Sequence, residues 1–247
     1  MNPIDRFGVM FDRLRLPHWP LRDRAHEREL LDLPDLDPVE LRANLRELAL
    51  LNRLAGGVAT SIRAIGRLAG SDEITILDVG TGGGDMPLAF AQRGSRLGGW
   101  RVIAVDNRPE ILDLAASWTA DEPMVTTLLA DARQLPIGDG EVDVAHASLL
   151  LHHLDPPEAV GVLRELRRVS RRGVVINELQ RGILPVALAT LTVAALARSR
   201  YTRHDGMLSA RRAYTLAELD SMLSEVGLRR AWRSSSLLPR VVTAAVA

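Results

Sequence analysis

A glycine-rich stretch, Asp78-Val-Gly-Thr-Gly-Gly-Gly-Asp85, follows one of the most apolar runs of the chain. The preceding residues 74–79 have the composition of a buried strand, and a helical pattern begins after the glycines. Glycine allows positive φ angles and close approach of the backbone to a ligand, and this crevice of an open α/β sheet is a common ligand site. We therefore expect a small-molecule site lined by Asp78, Gly80, Thr81, Gly82 and Gly84.

Dinucleotide-binding dehydrogenases place a related glycine loop at the same position. Their Gly-x-Gly-x-x-Gly spacing would put the third glycine at position 85, which is Asp85 in this chain. A nicotinamide-dependent enzyme is therefore disfavoured, and a fluorescence titration with NADH would test that alternative.

Two further carboxylates come at the ends of predicted strands. Asp106 follows the run 101–105, where a carboxylate can accept hydrogen bonds from both hydroxyls of a ribose. Asp131 follows the run 124–129, and a carboxylate there can accept from an adenine amino group. Together with the glycine loop, these positions predict a nucleoside-containing cofactor.

The positions of these residues depend on alternating strands and helices. Strand-like runs cover 74–79, 101–105, 124–129, 142–147, 174–177, 229–234 and 241–246, and helical patterns separate most of them. Capping sequences predict helix starts at Asp37, Asp155 and Thr215. This pattern is typical of an α/β fold: a Rossmann-like, seven-stranded, mostly parallel sheet with an antiparallel last hairpin and helices on both faces.

The segment from Ile74 to Asn177 resembles the class I S-adenosylmethionine-dependent methyltransferases, because the glycine loop, both carboxylates and a fourth strand ending near Ser148 come in that family's order. The resemblance implies S-adenosylmethionine as cofactor and S-adenosylhomocysteine as product. It implies that Asp78 and the glycines hold the methionine and ribose part, and that Asp106 holds the ribose. The remaining cofactor contacts that it implies are Asn107, Arg108, Asp131, Ala132 and Ser148.

Segments outside this core resemble small bacterial methyltransferases whose genes often lie beside polyketide synthase or flavin-oxidoreductase genes. These segments lie at 29–34, 45–57, 177–181 and 204–215. This resemblance implies O-methylation of a small aromatic or polyketide-like acceptor. Carbon or nitrogen methylation of a quinone precursor is one alternative, and a catalytically silent ligand-binding protein is another.

A phenolic acceptor would benefit from a general base, and histidine suits neutral pH. The candidates are His153 and His204, followed by His152, with Glu178 as a group that could orient a substrate hydroxyl. We expect His146, in the middle of a strand, to be structural. Arg53, at the end of a helix, could pair with the methionyl carboxylate. We expect no metal site, because the chain has no cysteine and adjacent histidines have poor geometry for one ion; a magnesium site of Asp and Glu side chains is the alternative that the sequence leaves open.

The composition and charge of the chain indicate which classes of partner to expect. The formal net charge is +0, so nothing in it favours nucleic acid. The apolar run 183–197 is shorter than the roughly 20 residues of a membrane span, so we expect no integral membrane segment. No secretory signal is visible, and we expect a cytoplasmic protein, with a homodimer possible.

We expect one domain over residues 1–247. It comprises an N-terminal helical extension (1–70), a cofactor-binding core (71–180), a lid and substrate segment (181–214) and a C-terminal helix with strands (215–247). Elements within 183–212 would cover a hydrophobic or phenolic acceptor. The apolar side chains expected to face it are Leu184, Val186, Leu188, Leu191 and Met207.

Overall fold

The computed structural model describes residues 23–70, 72–96, 99–234 and 240–247. The first 22 residues of the predicted N-terminal extension lie outside the described residues. The strands are β1 (Ile74–Val79), β2 (Trp100–Asp106), β3 (Val125–Leu129), β4 (Val142–Ser148), β5 (Ser170–Leu179), β6 (Arg229–Arg233) and β7 (Arg240–Val246). The helices are α1 (Pro38–Leu54), α2 (Gly57–Ala69), α3 (Asp85–Gly94), α4 (Pro109–Trp118), α5 (Pro156–Val169), α6 (Ile183–Leu196), α7 (Arg200–Arg212) and α8 (Leu216–Glu225).

The seven strands form a single sheet in the order β3-β2-β1-β4-β5-β7-β6. The first five strands pair in parallel, whereas β7 runs antiparallel to both β5 and β6. The order reverses between β1 and β4, and ligands bind at such switch points in open α/β sheets. The predicted α/β, Rossmann-like fold with its antiparallel last hairpin is confirmed.

The predicted helix starts are also confirmed, and each has a local cause. The Asp37 carboxylate accepts from the amides of Val39 and Glu40 at the start of α1. Reciprocal capping boxes join Asp155 to Glu158 before α5 and Thr215 to Glu218 before α8. These bonds satisfy amides that have no partner inside the helix, so short sequences fix where the helices begin.

The sheet has an apolar core on each face. One core packs α5 and α8 against the sheet and includes Leu163, Leu166 and Leu223. The other packs α2 and α3 and includes Ile65, Phe90 and Trp100. Loops at the carboxyl ends of the strands are left free to line a cavity.

Helices α6 and α7 and a short 3-10 turn at Leu30–Asp32 lie above that edge of the sheet. The α7 helix was not predicted; it begins where the Ser199 hydroxyl accepts from the amide of Tyr201. Among the described residues, no helix has both the length and the apolar character that crossing a membrane requires.

The lid elements differ in orientation from the expectation. Of the five apolar side chains expected to face the acceptor, Leu184, Leu191 and Met207 are exposed. Val186 packs with Ala189 and Ala210 in a small cluster. None of the five lines the cavity; α6 presents Ala189, Thr192 and Val193 to it instead. The correction follows from the helix being apolar all round, so composition could not tell which face turns inward.

Candidate active site

One cavity of about 410 Å³ lies at the switch point between β1 and β4. Its size falls in the range of small-molecule sites. The residues that line it come from the glycine loop, from α6 and α7, and from the turn at Leu30–Asp32. Of the predicted site residues, it brings together Asp78, Gly80, Thr81, Gly82, Asp106, Asn107, Arg108, Ser148, His152 and His153.

The glycine loop has the backbone that its sequence predicts. Gly80 has φ 71° and Gly82 has φ 55°, both in the region that side chains disfavour. A Cβ at Gly80 would lie 3.0 Å from Leu150 Cδ1 across the cavity. Gly84 also turns the chain, but it packs on Thr119 and Ala115 and does not line the cavity.

The loop is held from behind by the carboxylate of Asp78. Its two oxygens accept from Thr81 Oγ1 at 2.7 Å and pair with His146 Nδ1 at 2.6 Å. His146 is fully buried and its Nε2 lies 3.0 Å from Ser61 Oγ. The structural role expected for His146 can therefore be stated: it links Asp78, at the base of the glycine loop, to Ser61.

Asp106 lies at the end of β2, next to the loop. It accepts from the amide of Gly82 at 3.2 Å and from that of Arg108 at 3.1 Å. Burial raises the pKa of Asp106, and these hydrogen bonds offset part of that rise. An acceptor that is buried yet lines the cavity suits hydroxyl donors of a ligand.

The second acid of the loop, Asp85, was not among the predicted site residues. It lines the cavity and accepts from Asn52 Nδ2 at 2.9 Å. Burial raises its pKa, with Asn52 acting in the opposite direction. Asn52 in turn accepts from Arg240 Nη2 at 2.6 Å, so a polar row joins α1, α3 and β7.

Arg240 is the cationic residue that sequence reasoning missed in this region. It lines the cavity, and burial lowers its pKa to about 10. Its Nη1 is buried with no hydrogen-bond partner among the described residues. Arg53, which the sequence suggested for the methionyl carboxylate, is exposed and does not line the cavity.

Two other buried polar atoms of the cavity wall also lack partners within the part of the chain that the structure describes. They are Ser148 Oγ and Asn44 Oδ1. Buried polar groups are nearly always hydrogen-bonded, so atoms without a partner on a cavity wall point to a polar ligand. Together with the glycine loop and Asp106, they fit a cofactor that carries hydroxyl, amino and carboxylate groups.

Three other predicted cofactor residues are placed differently from the expectation. Asp131 binds Arg133 through both oxygens, at 3.0 and 2.7 Å, and does not line the cavity. Ala132 packs on the apolar core beside it. Arg108 lines the cavity, but its guanidinium donates to the carbonyls of Leu31 and Leu33 and so holds the N-terminal segment.

The predicted histidines are also separated by the fold. His204 is about half exposed, with its Nδ1 2.8 Å from Asp205, and it does not line the cavity. His152 and His153 both line the cavity from the 3-10 turn after β4. The chain enters this turn through Leu149, whose φ of 54° is unusual for a branched residue.

His152 and Glu178 form a buried pair. His152 Nδ1 lies 2.7 Å from Glu178 Oε1, and Glu178 Oε2 accepts from the amide of Leu151 at 2.9 Å. Burial would raise the pKa of Glu178, but His152 and the amide of Leu179 hold it below its ordinary value. The carboxylate orients the imidazole so that its Nε2 lies toward Glu29.

The surroundings of His153 favour its protonated form. Burial would lower its pKa, but the carboxylates of Glu29 and Asp32 outweigh burial and raise the pKa to about 9. Its Nδ1 lies 2.8 Å from Asp32 Oδ1. A protonated imidazole cannot accept a proton, so His153 is a poor general base in this state.

Glu29, which the sequence did not single out as a site residue, is 2% exposed and lies between the two histidines. Oε1 lies 3.7 Å from His152 Nε2, and Oε2 lies 3.7 Å from His153 Nε2. The adjacent histidines were not expected to bind a metal ion. Glu29, which is distant in the sequence, adds a third possible ligand beside them. The turn after Glu29 is held by Asp205, which accepts from the amides of Leu30 and Leu31.

Comparison with known proteins agrees with this geometry. A family model described as a methyltransferase domain matches residues 76–173, from β1 to β5. Residues 76–173 therefore resemble a methyltransferase domain. The switch-point cavity lies where the glycine loop and Asp106 of this segment meet.

The relatives of the methyltransferase domain are bacterial. An uncharacterized methyltransferase of Mycobacterium tuberculosis is 35% identical over 103 residues, which cover 41% of this chain and 39% of that protein. An uncharacterized protein encoded in a Streptomyces fradiae transposon is 35% identical over 131 residues, 52% of this chain and 35% of that protein. The chain thus matches well under half the length of these relatives.

Solved structures share the fold over a longer range. A SAM-dependent methyltransferase from Aquifex aeolicus superposes with a TM-score of 0.60 at 20% identity, covering 85% of this chain and 98% of that one. Magnesium protoporphyrin IX methyltransferase from Synechocystis, with bound S-adenosylhomocysteine, has a TM-score of 0.57 at 16% identity, covering 97% and 94%. The methyltransferase fold therefore extends beyond residues 76–173.

Proposed function

We propose that this chain transfers a methyl group from S-adenosylmethionine to a hydroxyl oxygen of a small aromatic or polyketide-like acceptor. The observation that carries the proposal is the shared cavity, in which the glycine loop faces a polar cluster of Glu29, His152 and His153. An apolar wall from Ala189 and Val193 lies beside that cluster. A volume of about 410 Å³ favours a small acceptor over a polymer.

The free polar atoms of the wall suggest how the cofactor is held. Asp106 would accept from the ribose hydroxyls, and Gly80 and Gly82 would admit the methionyl chain close to the backbone. Arg240 Nη1 would bind the methionyl carboxylate, the role first assigned to Arg53. Asp131 stays a candidate for binding the adenine, but its ion pair with Arg133 would have to rearrange first.

When bound, S-adenosylmethionine supplies a methyl group on a positively charged sulfur, which a nucleophile attacks in line. The protein's part is to hold the acceptor close and aligned and to activate its hydroxyl. His152 is the group best placed for activation, since Glu178 orients its ring and Nε2 is on the side of Glu29. His204, exposed on the outer side of α7, has no such position.

The test is an assay of the purified chain with methyl-deuterated S-adenosylmethionine and a panel of phenols, catechols and naphthols. Mass spectrometry would show one labelled methyl group per product, and alkaline stability with NMR would locate it on oxygen. A label on carbon or nitrogen would replace this acceptor assignment with the quinone-precursor alternative. Tight binding of S-adenosylhomocysteine without turnover of a broad panel would favour a silent binding protein.

A further inference from the structure

The cluster of Glu29, His152 and His153 has the composition of a metal centre. Their ligand atoms lie within 4.8 Å of one another, and the cluster faces the cavity. Two histidines and one carboxylate are a common ligand set of catalytic zinc and of iron(II) sites that keep open coordination positions.

The distances between the side chains of the cluster fit coordination of a shared ion better than direct hydrogen bonds between them. Each Nε2 lies 3.7 Å from an oxygen of Glu29, which is beyond hydrogen-bond range. Two atoms that each bind one ion at about 2.1 Å lie about 3.4 Å apart in tetrahedral geometry. Small side-chain movements would therefore bring all three ligands onto one ion.

Each candidate ligand has an outer partner that orients it. His152 Nδ1 pairs with Glu178 at 2.7 Å, and His153 Nδ1 pairs with Asp32 at 2.8 Å. Glu29 Oε1 accepts from Ser209 Oγ at 3.0 Å. Histidine ligands of metals nearly always donate their second ring nitrogen to a carboxylate, carbonyl or water, and here both histidines do so with carboxylates.

The charge around the cluster also favours a cation. Glu29, Asp32 and Glu178 surround the two imidazoles, whereas the nearby cation Arg212 binds Asp32 and the main-chain carbonyls of His152 and His153. We propose that Glu29, His152 and His153 bind one divalent transition-metal ion, with zinc or iron(II) as its chemical class, in the wall of the acceptor cavity.

The role of the ion rests on the proposed function, whereas its binding does not. An acceptor hydroxyl that coordinates the ion would lose its proton to cavity water. The resulting oxygen would form the O–CH3 bond as the S–CH3 bond breaks, and sulfur would keep the electron pair. Coordination lowers the pKa of a bound hydroxyl, so the ion would provide the activation assigned above to His152.

Binding of Co²⁺, followed by its visible absorption, and of Zn²⁺, followed by calorimetry, tests the site on EDTA-treated, desalted protein. We expect one ion per chain in the wild type and in His204→Ala, a histidine variant outside the cavity. Glu29→Gln and His153→Ala should bind each ion at least about 100-fold more weakly. Asp32→Asn should lose about 10- to 100-fold, because Asp32 is the outer partner that orients His153.

The same variants should bind S-adenosylhomocysteine within about twofold of the wild type, because the proposed cofactor contacts are the glycine loop, Asp106 and Arg240 rather than the three metal ligands. This measurement also shows that each variant is folded, and Glu29→Gln keeps the shape of the side chain if His153→Ala does not fold. Equal ion affinity in the wild type, Glu29→Gln and Asp32→Asn would overturn the metal site, as would no binding by the wild type. A metal site without methyl transfer would instead contradict the proposed function.

Discussion

His146 and Asp78 are register partners on neighbouring parallel strands, and His146 Nδ1 lies 2.6 Å from Asp78 Oδ1. The pair connects the base of the glycine loop to Ser61 on α2, and Asn177 on β5 donates to the same hydroxyl. A chain of donors and acceptors thus crosses the sheet directly beneath the cavity. The histidine sets the position of the loop although it does not line the cavity itself.

Replacing His146 should therefore affect both stability and cofactor binding. His146→Leu leaves Asp78 and Ser61 without their buried partner, and we expect it to lower the free energy of unfolding by about 2–4 kcal/mol. His146→Asn, which can keep a donor near the Nδ1 position, should lose less. Urea denaturation measures the first effect, and calorimetry with S-adenosylhomocysteine measures the second. Equal stability of His146→Leu and the wild type would show that the pair does not support the loop.

The core could be predicted because its evidence is local. The central strands β1 and β4 are continuous buried runs, and the glycines of the loop adopt the positive φ angles that their sequence predicts. Asp155 with Glu158 fixes the start of α5 within four residues. Patterns of this kind predict local structure from neighbouring residues alone, without knowledge of which elements pack together. The lid could not be oriented in this way, because α6 is apolar on every side and α7 is mostly polar.

The site could be predicted only where it follows the core strands. Glu29 precedes any periodic pattern and meets His152 only after the fold is complete. Arg240 begins the last strand, so no local signal distinguishes it from Arg53. His204 next to Asp205 suggests a catalytic pair, yet Asp205 serves the backbone of the N-terminal turn. Pairings of this kind depend on tertiary packing rather than on spacing.

Gly57 should be intolerant of a methyl group. A Cβ at Gly57 would overlap Arg240 Nη1, whereas a Cβ at Gly66 of the same helix meets no atom within 4 Å. We expect Gly57→Ala to displace the guanidinium and to weaken S-adenosylhomocysteine binding about tenfold, which is the loss of one charged hydrogen bond.

Gly66→Ala is the matched control for this variant. It should leave affinity unchanged and add about 0.5–1 kcal/mol to the free energy of unfolding, because alanine favours the helix. Calorimetry and thermal denaturation check both variants. Equal affinities for the two would remove Arg240 from the cofactor site.

His152 and His204 should differ sharply in activity. Once an acceptor has been found, His152→Ala should lower kcat/KM by about 100-fold or more, since it removes the oriented group at the cavity wall. His204→Ala should stay within about twofold, because that side chain is half exposed and outside the cavity. Steady-state kinetics at saturating cofactor give the comparison. The reverse ranking would restore His204 as the catalytic candidate.

Arg212 should hold the N-terminal segment over the cavity. Its guanidinium donates to the carbonyls of His152, His153 and Glu27 and to Asp32. Arg212→Ala removes these four hydrogen bonds and leaves the carbonyl of His153 without its charged donor, and we expect a loss of about 2–4 kcal/mol in stability. Hydrogen exchange of the amides of residues 27–33 should quicken. Arg203→Ala, which removes one bond to the carbonyl of Ala197, is the control and should leave this exchange unchanged.

Binding of S-adenosylhomocysteine to the wild type and to Asp106→Ala, measured by isothermal titration calorimetry, tests the proposed cofactor site most directly. We predict one molecule bound per chain by the wild type. In Asp106→Ala, we predict binding weakened by about 1–3 kcal/mol, since the ribose hydroxyls lose their buried acceptor. No binding by the wild type, or the same affinity in the variant, would contradict the placement of the cofactor at the glycine loop and Asp106.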